Sequence, residues 1–216
     1  MGNIVNDYTR KFILDNINLN MSKELKEIED YAHKHNVPII DKEVQNILRM
    51  LLYVKKPKKI LEFGTAIGFS SLFMYEQLNG DVSIVTMERD LERINIAKKN
   101  FELFNCQNKI EILEGDCFEN IKYLKDDFDL IFVDSSKSHY DKIFHSCIQN
   151  LNKNGIIVFD NVMYKGMVLS DDLVEKRKKT IVKNMRKFIQ DIVKDKNYLT
   201  SLLPIGDGIM ILRRFN

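Results

Sequence analysis

The sequence predicts an α/β fold: a seven-stranded, mostly parallel sheet with one antiparallel strand, helices on both faces and a helical extension in front. Three observations carry that prediction. From Lys58 onward, apolar runs of strand length alternate with amphipathic stretches of helix length. The first run, Lys58-Lys59-Ile60-Leu61-Glu62-Phe63, passes through a glycine loop, Gly64 to Gly68, into the helix-like stretch Ser70 to Leu78. Near the end, Gly206-Asp207-Gly208 is too short for a crossover, so the last two strands are expected as antiparallel neighbours.

Ahead of the sheet, residues from about Tyr8 to Lys55 read as three helices. Leu25, Ile28, Tyr31 and Ala32 give the stretch from Ser22 to His35 one apolar face. Pro38 then interrupts, and Asp41 stands where it can cap a third helix carrying Ile47, Leu48, Leu51 and Leu52. These helices could cover a sheet face, meet a second copy of the chain or form a lid over a cleft. The second strand is expected over Val82 to Met87, with a helix from about Asp90 to Phe104. The third is Lys109 to Leu113, with a helix starting near Asp116. The fourth is Phe128 to Val133, with a helix from about Ser138 to Leu151, and the fifth is Gly155 to Phe159. A long helix from about Asp171 to Lys194 precedes strands near Tyr198 to Pro204 and Gly208 to Arg213. No repeat, low-complexity tract or linker divides the chain. It is expected as a single domain over 1–216, with a helical cap over 1–56 and an α/β core over 57–216.

The 216 residues carry a net charge of +2, so any affinity for nucleic acid must come from where the basic residues cluster. Cys106, Cys117 and Cys147 are widely spaced, with no CxxC pair and no histidine at zinc-ligand spacing. They argue against a disulfide framework or structural zinc and for a reducing compartment. No apolar run has transmembrane length, and Asn3, Asn6, Asp7 and Arg10 replace the apolar core a signal peptide needs. The expectation is a soluble, cytoplasmic protein with no membrane partner.

The glycine loop reads Glu62-x-Gly64-x-x-x-Gly68, with no Lys or Arg inside it. A dinucleotide loop wants G-x-G-x-x-G and a phosphate loop wants G-x-x-x-x-G-K-[ST], so neither fits. A ligand with an amino group, a sulfonium and one carboxylate suits it better, with Glu62 near the cationic part and the helix N-terminus near the anionic part. That ligand is S-adenosylmethionine; a tight turn holding nothing is the other reading. In sheets of this kind ligands lie beyond the carboxyl ends of the strands. Those ends are acidic: Glu62, Glu88, Asp116, Asp134 and Asp160-Asn161. Glu88 stands where a carboxylate can accept hydrogen bonds from both ribose hydroxyls of an adenosine. Asp116 is equally placed as a helix cap. Asp134, Asp160 and Asn161 are three hard oxygen donors, a set that suits Mg²⁺ or Ca²⁺ if it binds a metal at all. Lys137 is either an ordinary surface lysine or a base reaching the same cleft.

These residues together resemble the metal-dependent O-methyltransferases, the family that includes the catechol and caffeoyl-CoA enzymes. The resemblance is carried by Glu62-Phe63-Gly64-Thr65-Ala66-Ile67-Gly68-Phe69-Ser70, Met87-Glu88-Arg89, Gly115-Asp116, Phe132-Val133-Asp134-Ser135-Ser136-Lys137-Ser138-His139-Tyr140 and Asp160-Asn161-Val162, in that order across the chain. It implies a Rossmann-like class I methyltransferase fold. It further implies Mg²⁺ on Asp134, Asp160 and Asn161, and catalysis by Lys137 with Asp134. S-adenosylmethionine would be held around Glu62, Gly64, Gly68, Ser70, Glu88, Asp116, Cys117 and Asp134. A homodimer is common in the family. Where the family often has Asp-Ala and Gly-Gly, this chain has Asp134-Ser135 and Asn154-Gly155.

Three more stretches, His35-Asn36-Val37-Pro38-Ile39, Asp160 to Gly166 and Pro204-Ile205-Gly206-Asp207-Gly208, resemble the bacterial branch that methylates 5-hydroxyuridine at the tRNA wobble position, giving 5-methoxyuridine. Its adjacent 5-hydroxyl and 4-carbonyl can chelate one Mg²⁺ as a catechol does, and a wobble base can be splayed from a single-stranded loop. The resemblance makes the tRNA anticodon loop the expected partner, with a small catechol-like or caffeoyl-CoA-type acceptor as the alternative. Lys176, Arg177, Lys178, Lys179 and Lys183, continued by Arg186 and Lys187, form either a solvated face or a phosphate-binding one, which Lys165 and Arg213-Arg214 could extend. Two other classes compete. An NAD-linked oxidoreductase lacks its third loop glycine here, and a noncatalytic RNA-binding module would use the basic face alone.

Overall fold

The computed structural model describes residues 6–215. Three helices come first: α1 (Asp7–Asp15), α2 (Lys23–Lys34) and α3 (Lys42–Lys55). The Asn6 and Ser22 side chains cap α1 and α2 by accepting the N–H of Thr9 and Leu25. Leu25, Ile28 and Ala32 of α2 and Val44, Leu48 and Leu52 of α3 are buried in one apolar cluster with Ile60, Leu72 and Phe73. By contrast, α1 buries none of its residues and is tied to α3 by the Arg10–Glu43 ion pair at 2.7 Å. Asp41 does occupy the expected cap position of α3, yet its side chain accepts no N–H from that helix.

The core continues as β1 (Lys59–Phe63), α4 (Phe69–Gln77), β2 (Ser83–Glu88), α5 (Leu91–Leu103), β3 (Ile110–Glu114), α6 (Cys117–Asn120), β4 (Phe128–Val133), α7 (Tyr140–Cys147), β5 (Leu151–Phe159), α8 (Lys179–Lys194), β6 (Tyr198–Leu203) and β7 (Ile209–Arg214). The sheet order is β3-β2-β1-β4-β5-β7-β6. Pairing is parallel from β3 through β5, and β7 runs antiparallel to both its neighbours. The chain enters at β1, builds outward to β3, then returns to β4 on the other side. The crevice between β1 and β4 is thus the topological switch point, where ligands bind in open α/β sheets.

Strand side chains alternate between two apolar clusters. Leu130, Phe132 and Val158 face the layer of α2 to α5, whereas Ile131, Val133 and Phe159 face α7 and α8. Both faces are covered, which is why the central strands read as continuous apolar runs. The buried stripe of α8 is Val182, Met185, Phe188 and Ile192. Among the described residues no helix is long and apolar enough to cross a membrane.

Two expected helices are shorter than their sequence patterns suggest. The Asp171–Lys194 stretch is helical only from Lys179, after separate 3₁₀ turns at Asp171–Leu173 and Lys176–Lys178. The physical reason lies at its start. Ser170 caps the first turn through the Asp172 N–H, Val174 is extended, and three cations precede α8 with no acid in its first turn, against the helix dipole. Likewise α7 covers only Tyr140–Cys147, with 3₁₀ turns on either side. Strand β5 begins at Leu151 because that residue pairs with Phe128 ahead of an irregularity in register.

The turn from β1 into α4 is held from beneath by Glu62. This residue is fully buried and accepts hydroxyl protons from Ser70 at 2.5 Å, from Thr86 at 2.6 Å and from Ser71. Thr86 is its register partner on β2, and its hydroxyl also meets that of Thr65 at 2.7 Å. Burial pushes the Glu62 carboxyl above its ordinary value, and the three hydroxyls oppose that shift. Glu62→Ala should lower stability by about 1–3 kcal/mol in a urea melt, since it strands buried hydroxyl groups. A carboxyl with a raised folded pKa contributes most below its unfolded value and loses that contribution as pH rises through the folded one. The stability difference between wild type and Glu62→Gln should therefore fall as pH rises from about 4.5.

Candidate active site

A cavity of about 480 Å³ lies beyond the carboxyl ends of β1, β2, β4 and β5 and is roofed by the Pro38 to Asp41 segment. That is the size of ordinary small-molecule sites. Its two ends differ in chemistry.

At one end the β1–α4 loop, Gly64-Thr65-Ala66, faces Glu88, Asp116 and Cys117. Glu88 accepts the N–H groups of Ala66 at 3.0 Å, Arg89 at 2.8 Å and Asp90 at 3.1 Å. Two of these bonds share one carboxylate oxygen and the third is on the other, so the backbone holds the carboxylate in place on the cavity wall. Asp116 is the cap of α6, accepting the Phe118 N–H at 2.8 Å, and it lines the cavity as well. Cys117 is half-buried there; burial, then Asp116, push its thiol up.

Three of the residues expected around the cofactor are engaged within the protein. Glu62 is absent from the cavity wall, because its carboxylate points into the sheet–α4 interface and is engaged by Ser70, Ser71 and Thr86. Ser70 lines the cavity, but its hydroxyl is directed at Glu62. Gly68 is also absent from the wall. A Cβ there would come 2.5 Å from the Phe101 ring at a φ of +84°, so what demands glycine is packing against α5. Gly64 does line the cavity, at φ +109°, and a Cβ would lie 2.1 Å from the Asp134 carbonyl oxygen. Both glycines serve close approach within the protein.

At the other end stand Asp134, Lys137, Asp160 and Asn161. Lys137 Nζ donates to Asp134 Oδ1 at 2.8 Å. Asp160 is buried, and its carboxylate accepts only the Asn161 N–H, at 2.7 Å, among the described residues. Burial, then the Asp134 charge, hold the Asp160 carboxyl well above its ordinary range. The Tyr140 hydroxyl donates to the Asp160 carbonyl at 2.7 Å and fixes the backbone there. Among the described residues no group of three or more His, Cys, Asp or Glu is arranged for a metal; Asn161, on the cavity wall beside Asp160, is a further oxygen donor there. Two crowded carboxylates and an amide, one carboxylate underprovided with donors, fit a hard divalent cation completed by water or substrate oxygens.

The basic residues lie outside the cavity wall. Lys176, Arg177, Lys179 and Lys183 are exposed and make no ion pair among the described residues. Lys178 sits 6.0 Å from the centre of the Tyr164 ring, beside the loop that carries Lys165. Arg186 does not extend this face: it donates to the carbonyls of Val168 and Met167 and pairs with Asp171. Lys187 pairs with Asp191, Arg213 with the Asn154 side chain and Arg214 with the Ile148 carbonyl.

Sequence reasoning missed Asp41 and Phe118. Asp41 lines the cavity mouth, where partial desolvation and neighbouring Glu43 raise its carboxyl. An aspartate before a helix looks like a cap, which concealed it. Phe118 also lines the cavity, with the His139 ring edge-on at 5.7 Å and Lys142 Nζ 3.7 Å from its centroid. Its position just past the β3 end was a usable signal.

A cavity at the switch point, with Glu88, Asp116, Asp134 and Asp160 on its wall, lies where α/β enzymes bind nucleoside-bearing cofactors. The chain belongs to the O-methyltransferase family, whose model matches residues 15–215. It is similar to caffeoyl-CoA O-methyltransferase 5 of Nicotiana tabacum, 28% identical over 204 residues that span 89% of this chain and 84% of that one. With caffeoyl-CoA O-methyltransferase 2 of Petunia hybrida the identity is 29%, over 90% and 83%. A Staphylococcus aureus structure described as a candidate caffeoyl-CoA O-methyltransferase superposes with a TM-score of 0.89 at 29% identity, covering 97% of this chain and 100% of that one. The SAH-bound Podospora anserina methyltransferase PaMTH1 shares the fold, with a TM-score of 0.87 at 24% identity over 98% and 97%. The chain is accordingly an S-adenosylmethionine-dependent O-methyltransferase.

Burial pushes the Cys106 thiol up to about 11 and that of Cys147 up to about 12, so both should resist alkylation in the folded protein. N-ethylmaleimide should modify Cys117 first, slowly, and saturating S-adenosylmethionine should slow it at least several-fold; peptide mass mapping reads the site.

Proposed function

We propose that the protein methylates one of two adjacent oxygens on a small catechol-like acceptor, with a divalent cation such as Mg²⁺ on Asp134, Asp160 and Asn161. The observation that carries this reading is the oxygen-only edge, where two carboxylates and an amide converge beside Lys137 in a cavity of small-molecule size. The names of the tobacco and petunia relatives point the same way. The bound cation would supply positive charge to the ionised acceptor oxygen and hold its neighbour.

The chain's own groups do the rest. The Gly64–Ala66 loop, Glu88, Asp116 and Cys117 would seat the nucleoside end of S-adenosylmethionine. Glu88, fixed by three backbone N–H groups, would accept from the ribose. Lys137 is held at the acceptor end by Asp134 and, in its neutral amine form, would take the acceptor's hydroxyl proton to become the ammonium ion. When bound, S-adenosylmethionine would supply an electrophilic methyl group, which the acceptor oxygen would take as the carbon–sulfur bond breaks and neutral S-adenosylhomocysteine leaves. Orientation of the two reactants in line is the main contribution such a site makes. The 38–41 segment contributes to the wall of the same cavity.

A second reading is supported by the basic surface. Lys176, Arg177, Lys179 and Lys183 are exposed charges without an ion pair among the described residues, and Lys178 between them meets the Tyr164 ring in the loop that follows Asn161. Phosphates of a tRNA anticodon loop would suit them, with 5-hydroxyuridine presenting its two adjacent oxygens to the same edge.

With a catechol acceptor, turnover should vanish on chelation by EDTA and return with Mg²⁺. Asp134→Ala and Asp160→Ala should each lose at least about 100-fold, and Lys137→Ala about 10²–10⁴-fold, mainly in kcat. Catechol turnover that survives EDTA would sink the metal assignment. For the second reading, mass spectrometry of tRNA nucleosides from a strain lacking the gene should show 5-hydroxyuridine accumulating; unchanged nucleosides would leave the small acceptor alone.

A further inference from the structure

We infer that Asp207 is a positioning residue for the acceptor end: it clamps the 161–166 loop and so fixes Asn161 opposite Asp134 and Asp160. Asp207 sits in the turn between β6 and β7 and is absent from the cavity wall, so it acts through the loop it holds. Its two carboxylate oxygens accept the Lys165 N–H at 2.6 and 2.7 Å, and the Gly166 N–H contributes as well. Its carbonyl accepts the Met163 N–H at 2.9 Å, and the Gly208 carbonyl accepts the Val162 N–H at 2.9 Å. The turn thus engages almost every N–H just after Asn161.

The clamped loop is one that would not hold its shape alone. Asn161, Tyr164 and Lys165 have φ of 55°, 46° and 56°, the left-handed region that L-residues with side chains avoid. Such backbone persists where its surroundings over-determine it. The approach is close enough that a Cβ on Gly208 would lie 2.4 Å from Met163 Cγ. On its other side the turn meets the N-terminal cap, where a Cβ on Gly206 would lie 3.0 Å from Val44 Cγ2 and 3.5 Å from Asp41 Oδ2. One turn therefore sets the Asn161 loop against the cap segment that roofs the cavity.

This inference rests on the reading of Asp134, Asp160 and Asn161 as cation ligands, and its test separates the two. Mn²⁺ is titrated into the S-adenosylmethionine-saturated protein and followed by the loss of its free EPR signal. Wild type, Asp207→Ala, Asp207→Asn and Asn161→Ala are compared, with hydrogen exchange of the 162–166 amides measured alongside. Asp207→Ala should weaken Mn²⁺ binding about 10–100-fold, the range for residues that orient a metal ligand. It should also speed exchange of those amides while S-adenosylmethionine affinity stays within about twofold. Asp207→Asn, which keeps one carbonyl acceptor, should fall between; if Asp207→Ala does not fold, this variant decides alone. Wild-type Mn²⁺ affinity in the Asp207 variants, with loss in Asn161→Ala, overturns the positioning role. Wild-type affinity in Asn161→Ala as well overturns the ligand reading beneath it.

Discussion

The site depends on how β1 is joined to α4, and that junction depends on one buried carboxylate. Glu62 gathers hydroxyls from Ser70 and Ser71 on α4 and from Thr86 on β2, so strand, helix and neighbouring strand share a single polar knot inside an otherwise apolar layer. A half-satisfied network of this kind would cost more than an apolar one, while a fully satisfied network specifies a single arrangement. Above the knot the chain can turn only if it presses against β4 and α5, which is why glycine stands at 64 and 68. The pressing brings the loop to Asp134, and the cofactor end of the cavity and its reacting end become neighbours.

Much of this is legible in the residues. The parallel core, its order of elements and the antiparallel close follow from apolar runs, turn residues and the shortness of Gly206 to Gly208. The strand-end rule places Glu88, Asp116, Asp134, Asp160 and Asn161 along one rim, and all five line the cavity. The rule falters at Glu62, for a definite reason. A carboxylate one residue short of a strand end points into a sheet face instead of over its edge, and nothing in sequence pattern distinguishes the two when the residues that will satisfy it lie eight, nine and 24 positions away. The glycines suggest room for a ligand in the sequence, whereas in the fold they are room for Phe101 and the Asp134 carbonyl. The start of α8 escapes sequence pattern for a similar reason: an amphipathic stripe shows where a helix can be buried, and local charge and capping decide where it begins.

The two ends of the cavity are built by different physical means. At the cofactor end, backbone N–H groups converge on Glu88 and Asp116 caps α6, so the geometry is set by short-range turns. At the reacting end, Asp134, Asp160 and Asn161 come from two adjacent strands and are braced by Tyr140 and by the β6–β7 turn, both distant in sequence. The first kind of geometry survives local change; the second integrates the whole sheet.

Asp41 gives that division a consequence. It reaches the cavity from the helical cap, a segment that precedes the sheet and contributes no strand to it. The wall of one cavity is thus drawn from separate lengths of chain. A substitution within 38–41 can therefore reshape the cavity wall without touching any strand of the sheet.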